Sequence, residues 1–187
     1  MAEDVNTVDN LKEFILADYI DAYDDTYPTV KKVRVAFVRG RGFKVVTLLR
    51  CTRYGYLTNK KLFFAVSKML LEHYSVKYGI EVIYTHKLGK GLVFYHFGTM
   101  IVSVASMGEH CGIRPGVVIG NKGYKAGKPT IGNNVQFGAG CKVFGEITIG
   151  NNVTIGGNAV VTHDVPNNAV VAGIPAKIIK RSQHDEM

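Results

Sequence analysis

Cysteine is scarce in this chain. Cys51, Cys111 and Cys141 are odd in number and widely spaced, which fits neither a disulfide framework nor a zinc knuckle and points to a reducing, cytoplasmic setting. Long apolar runs are absent too. None approaches the roughly 18–20 residues of a membrane span, so none is expected to cross one. The first residues, MAEDVNTVDN, are acidic and polar where a secretory leader needs a basic and then an apolar stretch. Negative charge is the scarcer sign, with 15 Asp and Glu against 23 Lys and Arg, a formal charge of +8. Such a balance favours anionic partners. The basic residues are dispersed and no nucleic-acid motif accompanies them, so nucleic acid is not the expected partner. An anionic cofactor or a solubilising surface would account for the charge equally well.

At 47% hydrophobic and 20% charged, the 187 residues can bury a sizeable core. Their order is unusual. In IGNNVQFGAGCKVFGEITIGNNVTIGG, residues 131–157, a large apolar residue returns at every sixth position. The anchors Ile131, Phe137, Val143, Ile149, Ile155 and Val161 each have a second apolar or small residue four places on: Val135, Cys141, Ile147, Val153, Ala159 and Val165. Upstream, Leu88, Phe94 and Met100 keep the step, as do Met107, Ile113 and Ile119 after a one-residue slip. Neither the 3.6-residue period of a helix nor the period of two of a strand gives this spacing. A chain that turns every six residues, with glycine or asparagine at the corners, stacks coil on coil into a hexapeptide β-helix.

Residues 1–79 follow a helical grammar instead. Thr7 or Asn10 is a candidate N-cap for a helix carrying Leu11, Phe14, Ile15 and Tyr19. After a loop around Pro28, Val45, Val46, Leu48, Leu49 and Tyr54 predict a second helix beginning near Gly42. The third is the clearest: Leu62, Phe63, Val66, Met69, Leu70 and His73 share a stripe that reads as core or subunit packing, and Gly79 stops the helix. The expected fold class is therefore α+β, an α-helical lobe over 1–79 followed by a β-helix over 80–187. Between Ile119 and Ile131 the interior position falls on Lys125, and a buried unpaired lysine is costly. Residues 120–130 are thus expected to leave the solenoid as a lysine- and glycine-rich loop.

The stretch YGIEVIYTHKLGKGLVFYHFGTMIV, the hexapeptide run and the exit segment NAVVAGIPAKIIKR together resemble the serine acetyltransferase branch of the hexapeptide acyltransferases, over about Ala17 to Arg181. That resemblance implies a left-handed parallel β-helix and a homotrimer or dimer of trimers with active sites between subunits. It implies acetyl transfer from acetyl-CoA to a hydroxyl, without a metal. L-serine giving O-acetylserine is one implied acceptor; a hydroxyl of a surface-polysaccharide sugar or nucleotide sugar is the other.

Several positions match the family's motifs. His96, in FYHFG, matches the catalytic histidine, and an imidazole is suited to take a hydroxyl proton near neutral pH. Glu81, fifteen residues earlier, falls where the family has the aspartate that orients it, with one methylene more. Gly120, Gly138, Ala139, Gly156 and Gly157 match small positions along the pantetheine arm. Lys177, Lys180 and Arg181 are candidates for the cofactor phosphates, a solvated basic tail being the other reading. Asp18 matches an aspartate of the helical lobe near the substrate. Three positions depart from the family: its aspartate beside the histidine is Tyr95, and the arginine–histidine pair of its lid loop is Gly127 and Lys128. Lys128 is left to meet an acceptor carboxylate, while Tyr95 suits a flatter, more neutral acceptor. His86, His110, His163 and His184 read as polar surface groups, and none forms a close pair with His96, so a zinc site of the carbonic anhydrase type is not expected. The ending QHDEM lacks the terminal isoleucine of members that dock onto cysteine synthase, so that complex is not expected. A non-catalytic trimeric scaffold is the remaining alternative.

Overall fold

Asparagine tolerates a left-handed backbone and can also hydrogen-bond with its side chain, and the solenoid uses both properties at one corner. Asn134, Asn152 and Asn168 hold φ of 55, 56 and 59° on successive coils. Asn134 Nδ2 donates to Asn152 Oδ1 at 3.0 Å, and Asn152 Nδ2 to Asn168 Oδ1 at 2.8 Å. Beside this ladder runs a second. Asn133 Oδ1 accepts from the Glu109 amide, Asn151 Oδ1 from the Asn133 amide and Asn167 Oδ1 from the Asn151 amide, each at 2.8 Å. These repeated Asn-Asn pairs, preceded by Gly132, Gly150 and Pro166, tie successive coils together at that corner.

The computed structural model describes residues 4–123 and 127–181. The lobe comprises α1 (Val8–Tyr23), α2 (Val30–Arg39), α3 (Arg41–Leu57) and α4 (Lys61–Tyr78). The first coil is β1 (Ile80–Val82), β2 (Lys87–Leu88) and β3 (Val93–Phe94). Then follow β4 (Met100–Val102), β5 (Ser106–Met107) and β6 (Gly112–Ile113), and β7 (Val118–Gly120), β8 (Thr130–Ile131) and β9 (Gln136–Phe137). The last coils hold β10 (Lys142–Phe144), β11 (Thr148–Ile149), β12 (Thr154–Ile155), β13 (Val160–Val161) and β14 (Ala169–Ala172), and β15 (Lys177–Arg181) folds back antiparallel on β14. Every third strand stacks in parallel, giving three faces: a first sheet β1-β4-β7-β10-β13, a second β2-β5-β8-β11 and a third β3-β6-β9-β12-β14-β15. This is the β-helix expected from the six-residue period, with the left hand that the family resemblance implies. All six anchors from Ile131 to Val161 are buried inside it, as are the six upstream anchors. Burying each such side chain contributes about 1.5–3 kcal/mol. The expected loop leaves between β7 and β8, with Lys125 itself outside the described residues. No helix among the described residues is long and apolar enough to cross a membrane.

The lobe differs from expectation in two ways. The segment before Gly42 forms α2, a separate helix capped by Thr29, whose hydroxyl accepts from the Lys32 amide. The predicted stripe of α4 is not core in this chain. Leu62, Val66 and Met69 are 80, 46 and 62% exposed, whereas Ser67 and Leu71 face inward. Helix α4 offers two apolar stripes, and the one with the small Ser67 allows the closer approach to α3.

One buried ion pair joins lobe to solenoid. Arg50 of α3 donates from Nε and Nη2 to the two carboxylate oxygens of Asp18 on α1, at 2.9 and 3.0 Å. Its Nη1 and Nη2 also donate to the carbonyls of Leu88 and Gly89, both at 2.6 Å, and the Leu92 amide donates to Asp18 Oδ1 at 2.8 Å. Arg50 and Asp18 are 1% and 0% exposed. Burial pushes the Asp18 carboxyl up from its ordinary pKa, and the guanidinium and amides oppose that shift. Gly42 completes the joint, because a Cβ there would strike the Phe94 carbonyl. Removing one partner of a buried pair strands the other charge, so Asp18→Ala is expected to lower the unfolding free energy by about 3–5 kcal/mol. Urea denaturation checks this.

Candidate active site

The corner between the third and first sheets carries His96. It lies two residues past β3, after Tyr95, and holds a left-handed backbone, φ 65°, at a corner that lower coils turn with Gly116, Gly140 and Asn158. Such a backbone keeps the imidazole outside the solenoid, where it is exposed. The helical lobe overhangs this point. Between them lies a cleft of about 410 Å3 whose walls include Tyr23, Arg39, Arg41, Tyr95, His96 and Phe97. The Arg41 guanidinium lies over the Phe97 ring, 4.1 Å from its centre.

Tyr95 divides this cleft from a second, about 480 Å3, that holds Asp21, His110, Asn134 and Gln136. The Arg114 guanidinium covers the Tyr95 ring at 4.9 Å. A Cβ on Gly112 would lie 2.8 Å from the ring edge, so glycine there gives the tyrosine its place. His110 is more than a polar surface group: its Nδ1 lies 2.7 Å from Asp21 Oδ2. The pair ties the end of α1 to the asparagine corner. Nothing in the local sequence signals it, since its members are 89 residues apart.

Glu81 is exposed on β1, opposite Ile101 of β4, and lines a different cleft, with Ser75, Gly79 and Thr99. Among the described residues no hydrogen bond or ion pair joins it to His96. The two are nonetheless close along the fold. Gly98 donates to the Tyr78 carbonyl at 3.0 Å and Met100 to that of Gly79 at 2.8 Å, so the His96 corner rests on the residues just before Glu81.

Two expectations for the acceptor site are corrected. Asp18 cannot meet a ligand directly, because it is fully buried with both oxygens held by Arg50. Lys128 turns back onto the solenoid, its Nζ 3.3 Å from His86 Nε2. His86 is in turn buried, at 8% exposure, rather than on the surface. Desolvation, and then the charge of Lys128, holds its pKa below the ordinary histidine value; the Val102 backbone offsets part of this. His163 is exposed, and His184 lies outside the described residues.

The cofactor candidates separate by corner. Tyr95, Arg114, Gly138, Gly156 and Ala172 follow the paired positions of β3, β6, β9, β12 and β14, and Lys177 pairs with Ala172. At ~4.8 Å per strand, the five steps from Tyr95 to Lys177 span roughly 24 Å. Gly138 and Gly156 are glycine because the next coil approaches them, and Ala139 and Gly157 stand exposed beside them. Lys180 is exposed further along β15, and the side chain of Arg181 lies outside the described part. Gly120 is buried at the other end of the first sheet, away from this column. Beyond Tyr95 and Arg114 the column is a path over small residues that closes on a lysine.

Comparison with known proteins decides the family. The model for bacterial transferase hexapeptide (six repeats) matches residues 128–163. A serine acetyltransferase of Helicobacter pylori is 36% identical over 138 residues, covering 72% of this chain and 81% of that protein. The chain belongs to the serine acetyltransferase family. The enzyme of that name from Synechococcus elongatus is 44% identical over 117 residues, 60% of this chain but 48% of its own length, so the chain spans about half of that relative. Among solved structures, Neisseria gonorrhoeae serine acetyltransferase superposes with a TM-score of 0.76 at 29% identity, over 92% of this chain and 67% of that one. The Brucella abortus enzyme in complex with coenzyme A gives 0.75 at 26%, over 94% and 70%.

Burial of His86, with the charge of Lys128 beside it, makes stability depend on pH. A histidine whose folded pKa is lowered contributes stability in full above the unfolded value of about 6.5, and loses it as pH falls from there through the folded value. His86→Phe is expected to flatten this part of the profile. Urea unfolding of both proteins between pH 8 and pH 4 checks it through the difference between the two curves.

Proposed function

We propose that this chain is an O-acetyltransferase that moves acetyl from acetyl-CoA to the hydroxyl of a small acceptor, L-serine giving O-acetylserine. The observation that carries the reading is His96 at the mouth of the lobe-covered cleft and at the head of the column that ends on Lys177. The family relatives named serine acetyltransferase support the acceptor. Acetyl-CoA, when bound, supplies the acyl group as an activated thioester. His96 accepts the hydroxyl proton as the acceptor oxygen attacks the thioester carbon, and gives it to the departing thiolate, which leaves as the free thiol. Glu81 positions the imidazole and balances its charge once the ring turns towards the first sheet. Ala139, Gly157 and Lys177 hold the long arm and its phosphate end.

The active unit we propose is a homotrimer. The chain departs from the solenoid after β7 and rejoins it at β8, at the first-to-second corner, whereas His96 stands at the third-to-first corner. A three-fold arrangement brings one copy's loop to another's His96. A sugar hydroxyl is the second reading. The neutral amides of Asn134 and Gln136 beyond Tyr95 favour it.

Release of free thiol from acetyl-CoA, with L-serine beside a panel of monosaccharides and nucleotide sugars, tests the reading. His96→Ala is expected to lower turnover by about two to four orders of magnitude without changing the sedimentation behaviour, and Glu81→Gln to lower it less. A His96→Ala protein of near-normal rate would overturn the mechanism.

A further inference from the structure

The lid loop is an incomplete account of how an acceptor is recognised, since Lys128 is held by His86. We infer that the anionic end of the acceptor is bound instead by Arg39 and Arg41 of the helical lobe. The inference rests on the acetyl-transfer reading for its choice of acceptor. Arg39 ends α2 and Arg41 begins α3, with only Gly40 between them, and both line the cleft that contains His96. Gly40 packs against the Tyr23 hydroxyl, leaving no room for a side chain between the two arginines. Arg41 is also fixed in place, its guanidinium stacked on Phe97, the residue next to His96.

Neither arginine has an acidic partner among the described residues, and the cleft lining contains no aspartate or glutamate. The sequence explains why. From Thr26 to Leu71 there are eleven Lys and Arg and no Asp or Glu. Arg50 and Arg53, in the same stretch, are claimed by Asp18 and Asp4, but Arg39 and Arg41 are not. A fork of guanidinium donors is suited to a carboxylate or a phosphate. The column suited to the cofactor runs from His96 away from the lobe to Lys177, so cations on the lobe side face the acceptor. The ligand class is therefore a hydroxyl compound bearing an oxyanion. That oxyanion is the carboxylate of an amino acid or the phosphate of a nucleotide sugar.

The test is steady-state thiol release from acetyl-CoA by the full chain and its Arg39→Ala, Arg41→Ala and Arg41→Lys variants. Acceptors come in pairs that differ in the anion: L-serine against L-serinamide, and UDP-N-acetylglucosamine against N-acetylglucosamine. The parent protein is expected to prefer the anionic member of one pair, and which pair responds identifies carboxylate or phosphate. Arg41→Ala should raise KM for that acceptor about ten- to a hundredfold with kcat nearly kept, abolish the preference, and leave KM for acetyl-CoA in place. Arg41→Lys should recover part of the loss. Equal use of charged and uncharged partners by the parent, or equal losses on both in the variants, overturns the inference. Calorimetric titration of the same four compounds into the His96→Ala protein separates this from the acetyl-transfer reading. Arginine-dependent binding without turnover leaves the inference standing and removes the reaction. Binding indifferent to both arginines, or none, removes the inference.

Discussion

Arg50 divides one buried guanidinium among the carboxylate of Asp18 and the carbonyls of Leu88 and Gly89. Those groups belong to α1, to the end of β2 and the turn after it and, through Arg50 itself, to α3. With Gly42 seated on the Phe94 backbone, this contact sets where the lobe sits over the first coil. The cleft at His96 is the space left beneath that overhang, so its shape depends on a pair that touches no ligand. A buried pair of this kind adds little net stability over apolar packing, and what it fixes is geometry. Asp18 thereby positions the site from behind.

The solenoid contributes in a different way. Because each coil repeats the one above, side chains at one corner form a line parallel to the axis. His96 stands where such a line begins, exposed Ala139 and Gly157 lie along it, and Lys177 closes it. Chemistry at one end and charge at the other are thus separated by a distance that the number of coils determines. The lobe adds a second polarity, since Arg39 and Arg41, which have no acidic partner among the described residues, line the cleft on the lobe side of His96, whereas Lys177 closes the column. In the proposed reaction, acceptor and acyl donor would approach the imidazole from opposite directions.

How much of this could be read in the sequence follows from which contacts are periodic. The six-residue anchors became the solenoid interior without exception, because every coil imposes the same inward position. The small corner residues follow the same period, whereas His96 is marked only by the likeness of FYHFG to a family motif. The lobe was harder. In α4 two apolar stripes compete, and only packing on α3 selects Ser67 and Leu71 over Leu62 and Met69. Asp18 and Lys128 were misread because their partners, Arg50 and His86, lie 32 and 42 residues away. Arg39 and Arg41 escaped notice because a basic run in a helix ordinarily reads as solvated surface.

A crystal structure of the chain with coenzyme A bound tests the central claim most directly, that the third-to-first corner is a transfer site with a donor side and an acceptor side. The account predicts the sulfur end beside His96, the pantetheine arm against Ala139 and Gly157, and the phosphates towards Lys177, with Arg39 and Arg41 untouched. Coenzyme A seated on the lobe arginines, or in the cleft of Asp21 and His110, would contradict it.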